Sequence, residues 1–391
     1  MPAARPADPS DDPGRPLVVG LVIDDDLDRP DGVQQYVLTL GAELTRRGHD
    51  VHYVASTTRR TDLPLHVLGR NVGVTFNGNR LNTPLPASRA QVRRLLREVP
   101  FDVLHVQMPY SPVLAGRVVS AAPARTAVVG TFHIYPHSRL VTVGTRALGL
   151  LERRRLRRFR HVFATSEAAA RFAHDTFRVP TAVLGNPVDV TRFPPADDTP
   201  PADRPVRIVF LGRLVERKGP RELLEAAVAM TRAGTRTPWT LTIAGRGPLH
   251  DELAAVVVRE GLTNVELPGF VAEEDKAALL ADADVVALPS TGGESFGISV
   301  VEALAAARGV VVAGDNPGYR TTMAGLERQL LDPRDTATFA RVLARWVDDP
   351  AGRAEVAQRQ RAAAARFDTP RIADEVERAY RAALAAARSD R

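Results

Sequence analysis

The sequence predicts an α/β protein built from two Rossmann-like, doubly wound domains, and three observations carry that prediction. Apolar strand patterns alternate with amphipathic helix patterns from Leu17 onward, and the same alternation starts over at Val206. Between the two runs lies PPADDTPPADRP, a linker by composition. With 391 residues and a 44% apolar fraction, the chain is large enough for two cores of ordinary size. The expected divisions are a disordered tail over 1–16, a first domain over 17–187, a linker over 188–205 and a second domain over 206–370.

Composition excludes several classes. No cysteine occurs, so disulfides, thiol chemistry and zinc–thiolate sites are absent. No run approaches the length of a transmembrane helix. The first sixteen residues lack the apolar stretch of a signal peptide, so a cytoplasmic location is expected. The net charge is +6, but aromatics make up only 5% and do not interleave with the basic residues, so no nucleic-acid partner is expected. Only Lys218 and Lys276 are lysines, against fifty arginines. The chain departs from its own habit at those two positions.

Leu17 to Ile23 reads as a buried parallel strand, and Val33 to Gly48 as a helix ending at glycine. The acidic loop between them carries Asp24 to Asp26, expected to be solvated, and Asp31-Gly32 at a strand's carboxyl end, where open α/β sheets bind ligands. Asn77-Gly78 signals a hairpin, Ser88 to Val99 a helix, and Phe101 to Val106 a strand leading to Gln107, Met108 and Tyr110. Thr126 to Phe132 is the next strand, with His133 at its end; a histidine there is either a crevice ligand or a satisfied structural residue. Leu140 to Arg160 reads as a helix whose second half holds Arg153, Arg154, Arg155, Arg157 and Arg158. Those cations suit either a helix C-terminus or an anionic membrane surface. Strands over His161 to Thr165 and Thr181 to Leu184 complete the first half.

The second half opens with the strand Val206 to Leu211 and the turn Gly212-Arg213-Leu214-Val215-Glu216-Arg217-Lys218-Gly219. Arg213 and Lys218, in a glycine-bounded turn before a helix, form a diphosphate clamp or a basic surface loop. Gly269-Phe270-Val271 follows another strand. The stretch LPSTGGESFGISVVEALA is the densest in chemistry. Amides of Gly297 and Ile298 at a helix start offer a phosphate seat, and Glu294 and Glu302 on either side accept hydroxyl hydrogen bonds. That pairing suits a sugar nucleotide. Proline breaks then mark helices after Asp332-Pro333, Pro350 and Asp368-Thr369-Pro370.

These motifs resemble family 4 retaining glycosyltransferases of the GT-B architecture, in which two Rossmann-like domains face across a cleft. Glu294-Ser-Phe296-Gly297 with Glu302, Gly212-Arg213-Leu with Lys218-Gly219, and Thr131-Phe132-His133 carry the resemblance. Together with Asp31-Gly32-Val33-Gln34 they are most similar to actinobacterial phosphatidylinositol mannosyltransferases. The resemblance implies a metal-independent enzyme with no cofactor, taking a hexose from a nucleotide diphosphate sugar, GDP-mannose, to an acceptor hydroxyl on an inositol lipid. It implies that Gly32 and Phe296 face the donor, that the 269–271 backbone reads the base, and that Glu294 holds sugar hydroxyls and Glu302 ribose hydroxyls. His133 stands near the reaction centre, Gln107 and Tyr110 line the acceptor side, and the last helix, about 371–387, packs back on the first domain. The arginine-rich helix then places the protein peripherally on the inner face of the cell membrane. Two other readings stand beside this one: a UDP-sugar with a soluble acceptor (inositol phosphate or a secondary-metabolite aglycone), and a catalytically silent nucleotide-sugar-binding partner.

Overall fold

The structure is a computed structural model that describes residues 14–28, 31–76, 79–85, 87–133, 149, 152–196 and 203–389. The first domain holds strands β1 (Val18–Ile23), β2 (Asp50–Ala55), β3 (Leu65–Val67), β6 (Val103–Gln107), β7 (Ala127–Phe132), β8 (His161–Ala164) and β9 (Ala182–Val183). They form one parallel sheet in the order β3-β2-β1-β6-β7-β8-β9. An antiparallel hairpin, β4 (Arg70–Phe76) with β5 (Asn79–Leu85), flanks the Asn77-Gly78 signal, whose turn lies outside the described residues. The second domain holds β10 (Val206–Leu211), β11 (Trp239–Ala244), β12 (Val265–Gly269), β13 (Val285–Leu288), β14 (Val310–Gly314) and β15 (Leu330–Leu331). Its parallel order is β12-β11-β10-β13-β14-β15.

Both sheets are buried on two faces, which is why their strands read as unbroken Val/Ile/Leu runs rather than alternating ones. Leu21, Tyr36 and Val129 lie on one side of the first sheet and Val22, Leu104 and Val118 on the other. In the second domain, Ile208 and Phe210 face one core while Val209 and Val286 face the other. Each sheet reverses its strand order once, between β1 and β6 and between β10 and β13. Ligands bind outside the carboxyl ends of strands at such switch points.

The chain crosses between domains twice, side by side. Val188 N–H donates to the Phe367 carbonyl (2.9 Å), and Thr369 N–H donates to the Val188 carbonyl (3.1 Å). Beyond that crossing the helix Thr369–Ser389 returns to the first domain and buries Ile372, Val376, Tyr380 and Leu384 in its core. Arg47 fastens it, reaching Asp374 (2.7 Å), Glu377 (2.5 Å) and the Pro370 carbonyl (2.6 Å).

Two expectations need correction or restriction. Asp24 and Asp26 are not solvated but buried. Asp24 accepts a hydrogen bond from Ala115 N–H (2.8 Å) at the start of the helix Leu114–Ala121, so its carboxylate supplies a partner that the helix's first turn lacks. Most of the helix expected over Leu140–Arg160 lies outside the described residues. Within the described part, Arg153, Arg154 and Arg157 are exposed. Arg155 is tied to Glu152 (2.6 Å) and Ser120 Oγ (2.9 Å), and Arg158 donates to the Ala122 carbonyl (2.8 Å). Two of the five arginines thus hold this segment against the helix Leu114–Ala121, and three face outward.

Candidate active site

The two switch points face each other, and between them lies a cavity of about 570 Å³. Each wall is built from loops that leave strand carboxyl ends. Asp25 and Asp31-Gly32 follow β1, Met108 follows β6, and His133 follows β7; Gly212 to Lys218 follow β10, and Glu294 to Ser299 follow β13.

On the second domain's wall, Lys218 ends a single helical turn (Glu216–Lys218) closed by Gly219 at φ 73°. A Cβ at Gly219 would lie 2.0 Å from the Pro289 carbonyl oxygen, so glycine is what lets this turn sit against the loop bearing Glu294. Glu294 Oε1 consequently meets Arg217 Nη1 (2.6 Å), Lys218 Nζ (2.9 Å) and Ser290 Oγ (3.1 Å). Burial pushes the Glu294 carboxyl up, but the Lys218 and Arg217 charges with the hydrogen bonds outweigh it and hold the group below the usual range. Arg213 lines the cavity and is exposed, with no carboxylate partner among the described residues.

Glu302 is answered by the other lysine. Lys276 Nζ lies 2.8 Å from Glu302 Oε1 and 3.1 Å from Glu273 Oε1. Burial dominates at Glu302 and raises its carboxyl despite Lys276. Between the two acids the helix Ile298–Ala306 begins after Gly297, whose φ of 95° and close neighbour Tyr319 demand glycine. Its first amides, unpaired by helix geometry, face the same cavity as Arg213 and Lys218.

On the first domain's wall His133 is buried and neutral in character, its pKa pushed down to about 3 by burial. Its Nε2 lies 2.6 Å from Gln107 Oε1, and Tyr36 meets its ring edge-on at 4.9 Å. Of the residues expected on the acceptor side, only His133 lines the cavity. Gln107 is fully buried behind it. Tyr110 stacks between Phe132 (5.6 Å) and Phe177 (5.0 Å) in an aromatic cluster, which accounts for it without a ligand. Gly269, Phe270 and Val271 do not line the cavity; Phe270 is 63% exposed, with the Arg246 guanidinium 5.1 Å from its ring centroid.

The structure therefore gathers Gly32, His133, Gly212, Arg213, Lys218, Glu294, Phe296, Gly297, Ile298 and Glu302 on one cavity. It adds Arg217, Lys276 and Asn186, which sequence reasoning did not assign. Lysine scarcity was the available signal for Lys276. Arg217 was hidden among fifty arginines.

The residues 196–366 match the model for glycosyl transferases group 1, and 30–192 match that for glycosyltransferase family 4. The phosphatidyl-myo-inositol mannosyltransferase of Mycolicibacterium smegmatis is 32% identical over 376 residues, covering 93% of each chain. A 2-deoxystreptamine glucosyltransferase of Streptomyces kanamyceticus is 28% identical over 346 residues, covering 82% of this chain and 86% of its own. Among solved structures, a Rickettsia africae glycosyltransferase superposes with a TM-score of 0.72 at 15% identity, covering 94% of this chain and 99% of its own. Anabaena HepE with UDP and glucose gives 0.68 at 20% identity, covering 92% and 98%. With two facing parallel-sheet domains, matches along both halves and relatives of over 30% identity across nearly the whole chain, the protein belongs to the family 4 glycosyltransferases and is a hexosyl-transferring enzyme of the GT-B fold.

Proposed function

We propose that the protein moves a hexose from a nucleotide diphosphate sugar to a ring-polyol hydroxyl with retention at the anomeric carbon, and that it needs no metal. The observation that carries this reading is the convergence of Arg213, Arg217 and Lys218 with the amides at Gly297 and Ile298 on one cavity wall, beside Glu294. Cations and amides so arranged offset the charge of a departing diphosphate, the work a divalent ion does elsewhere. Glu294 holds Arg217 and Lys218 in place before any donor arrives, so little reorganisation remains for the reaction step. The leaving phosphate takes the acceptor's proton on the same face. Glu294 also meets the sugar's hydroxyls and Glu302 the ribose hydroxyls.

The Mycolicibacterium smegmatis relative, named a phosphatidyl-myo-inositol mannosyltransferase, favours mannose as the sugar and a phosphatidylinositol lipid as acceptor, and we take GDP-mannose as the donor on the motif resemblance. Arg153, Arg154 and Arg157, facing outward, then meet the inner membrane surface. A second reading takes a UDP-sugar and a soluble acceptor, and for the acceptor it is favoured by the Streptomyces kanamyceticus relative, named a 2-deoxystreptamine glucosyltransferase. A thermal-shift panel with GDP, UDP, GDP-mannose and UDP-glucose separates the two, since a ligand at a hundred times its Kd stabilises by about 3 kcal/mol. Selective response to GDP and GDP-mannose supports the first, selective response to UDP supports the second, and no response to any of them refutes donor binding itself. Lys218→Ala is expected to lower kcat/KM about a hundredfold, with turnover unchanged by EDTA in the parent enzyme. Near-normal turnover in that variant, or loss of activity on chelation restored by a divalent ion, would overturn the corresponding part of the mechanism.

A further inference from the structure

The buried amide behind His133 has no part in the reaction as described so far. Gln107 ends β6 opposite Thr131 of β7 and is fully buried, so its side chain has no solvent to turn toward. Its Oε1 lies 2.6 Å from His133 Nε2. With the amide oriented this way its carbonyl oxygen accepts from the ring, which puts the ring's proton on Nε2, while the amide's own nitrogen is buried without a hydrogen-bond partner. The remaining nitrogen, Nδ1, has no partner among the described residues and belongs to a side chain that lines the cavity. The ring is also held from a second side. Tyr36 packs on it edge-on, and the Tyr36 hydroxyl lies 3.4 Å from Thr131 Oγ1, which is 2.6 Å from His105 Nε2.

We propose that Gln107 is a positioning residue for the transfer step: it fixes His133 as the neutral Nε2–H tautomer and so presents an unprotonated Nδ1 to the sugar and acceptor. The proposal rests on the transferase reading above. In glycosyl transfer positive charge develops on the sugar ring. A lone pair beside that charge stabilises it, or accepts a hydrogen bond from a sugar hydroxyl, whereas an imidazolium opposes it. A neutral amide at position 107 matters for the same reason, because a carboxylate there would draw a second proton onto the ring. The surrounding groups do not supply such a charge. Tyr36 and His105 pack nearby as neutral groups; across the cavity Glu294 is already paired with Arg217 and Lys218, and Asp25 accepts from Asp26 N–H and Gln34. Burial keeps the ring unprotonated far below neutral pH.

Two measurements test this. In ¹⁵N-histidine-labelled protein at pH 7, long-range ¹H–¹⁵N correlations should show His133, assigned by its loss in His133→Gln, with a protonated Nε2 and a bare Nδ1. A protonated Nδ1 overturns the proposal. In steady-state assays Gln107→Glu should develop an acid limb, with kcat at pH 5 up to about tenfold below its value at pH 8, because a carboxylate partner raises the ring from about 3 by as much as roughly 3 units. Donor KM should stay unchanged, and the parent should show no such limb. Gln107→Leu should lose about tenfold in kcat with a flat profile, as expected for loss of one orienting contact. A flat profile in Gln107→Glu together with a parent-like kcat in Gln107→Leu, or a loss confined to folding stability, would overturn the positioning role. The expected tautomer in a protein that never turns over a sugar nucleotide would instead count against the transferase reading alone.

Discussion

Each of the two lysines in an arginine-biased chain answers a buried carboxylate on the second domain's wall of the cavity: Lys218 meets Glu294 and Lys276 meets Glu302. Sequence made the lysines conspicuous but not their partners, since Lys276 and Glu302 come from different helices, Glu273–Ala281 and Ile298–Ala306. Tyr110 lies off the cavity. A strand-end position suggested a ligand contact, and in the structure the ring stacks on Phe132 and Phe177. Removing Lys276 leaves Glu302 buried without its cation, and breaking a buried pair from one side costs about 3–5 kcal/mol. The loss should depend on pH. The Glu302 carboxyl is already raised above its ordinary value of 4.5 by burial and loses its main opposing charge in the variant. A raised acid favours the fold below its unfolded pKa and loses that contribution as pH rises. Lys276→Ala should therefore be penalised more at pH 7.5 than at pH 4.5, measured by urea denaturation at both. An equal penalty at the two pH values would mean that Glu302 does not feel Lys276.

At the scale of elements, alternation of apolar strands with amphipathic helices was legible because both sheets are parallel and covered on two faces. Short pieces were not. The helix Leu114–Ala121 and the two-residue strand β15 carry too few residues for a period to show. The final helix was legible as a helix from the proline break before it, and its destination came from the family resemblance. Its attachment is more specific than apolar burial. The Tyr380 hydroxyl lies 2.7 Å from His105 Nδ1, so the helix completes a buried hydrogen-bond chain through Thr131 to Tyr36 beneath the cavity floor. Tyr380→Phe leaves His105 Nδ1 without that partner and should cost about 1–3 kcal/mol, read from the unfolding transition of the first domain. No change would show that a water replaces the hydroxyl. Gly219→Ala acts on a different element. Its Cβ would collide with the Pro289 carbonyl and push the Lys218 turn off the Glu294 loop. Donor affinity should fall at least tenfold, the scale of a misplaced charge-assisted contact, while the fold survives; unchanged donor affinity by calorimetry would refute the role given to that turn.

Over the whole molecule, two domains joined by two adjacent strands of chain need not unfold together, and their titratable groups are unequally distributed. The first domain buries His105 and His133, both lowered to about 3 by burial, with neighbouring histidines adding to the effect at His105. In the unfolded chain these rings titrate near 6.5, so below that pH the unfolded state binds more protons and the fold loses stability as pH falls toward 3. At pH 4.5 the loss is about 3 kcal/mol for each ring on that reckoning. In the second domain the two cavity carboxylates oppose each other. Glu294, held low, contributes stability above its unfolded pKa of 4.5 and loses it on acidification; Glu302, held high, contributes below 4.5 and loses it as pH rises. Acid lability should therefore reside in the first domain. Calorimetry between pH 7.5 and 4.5 should resolve a first-domain transition that moves down steeply while the second-domain transition moves little, and His105→Gln should flatten the first. A first-domain transition insensitive to pH would place the acid-sensitive groups elsewhere.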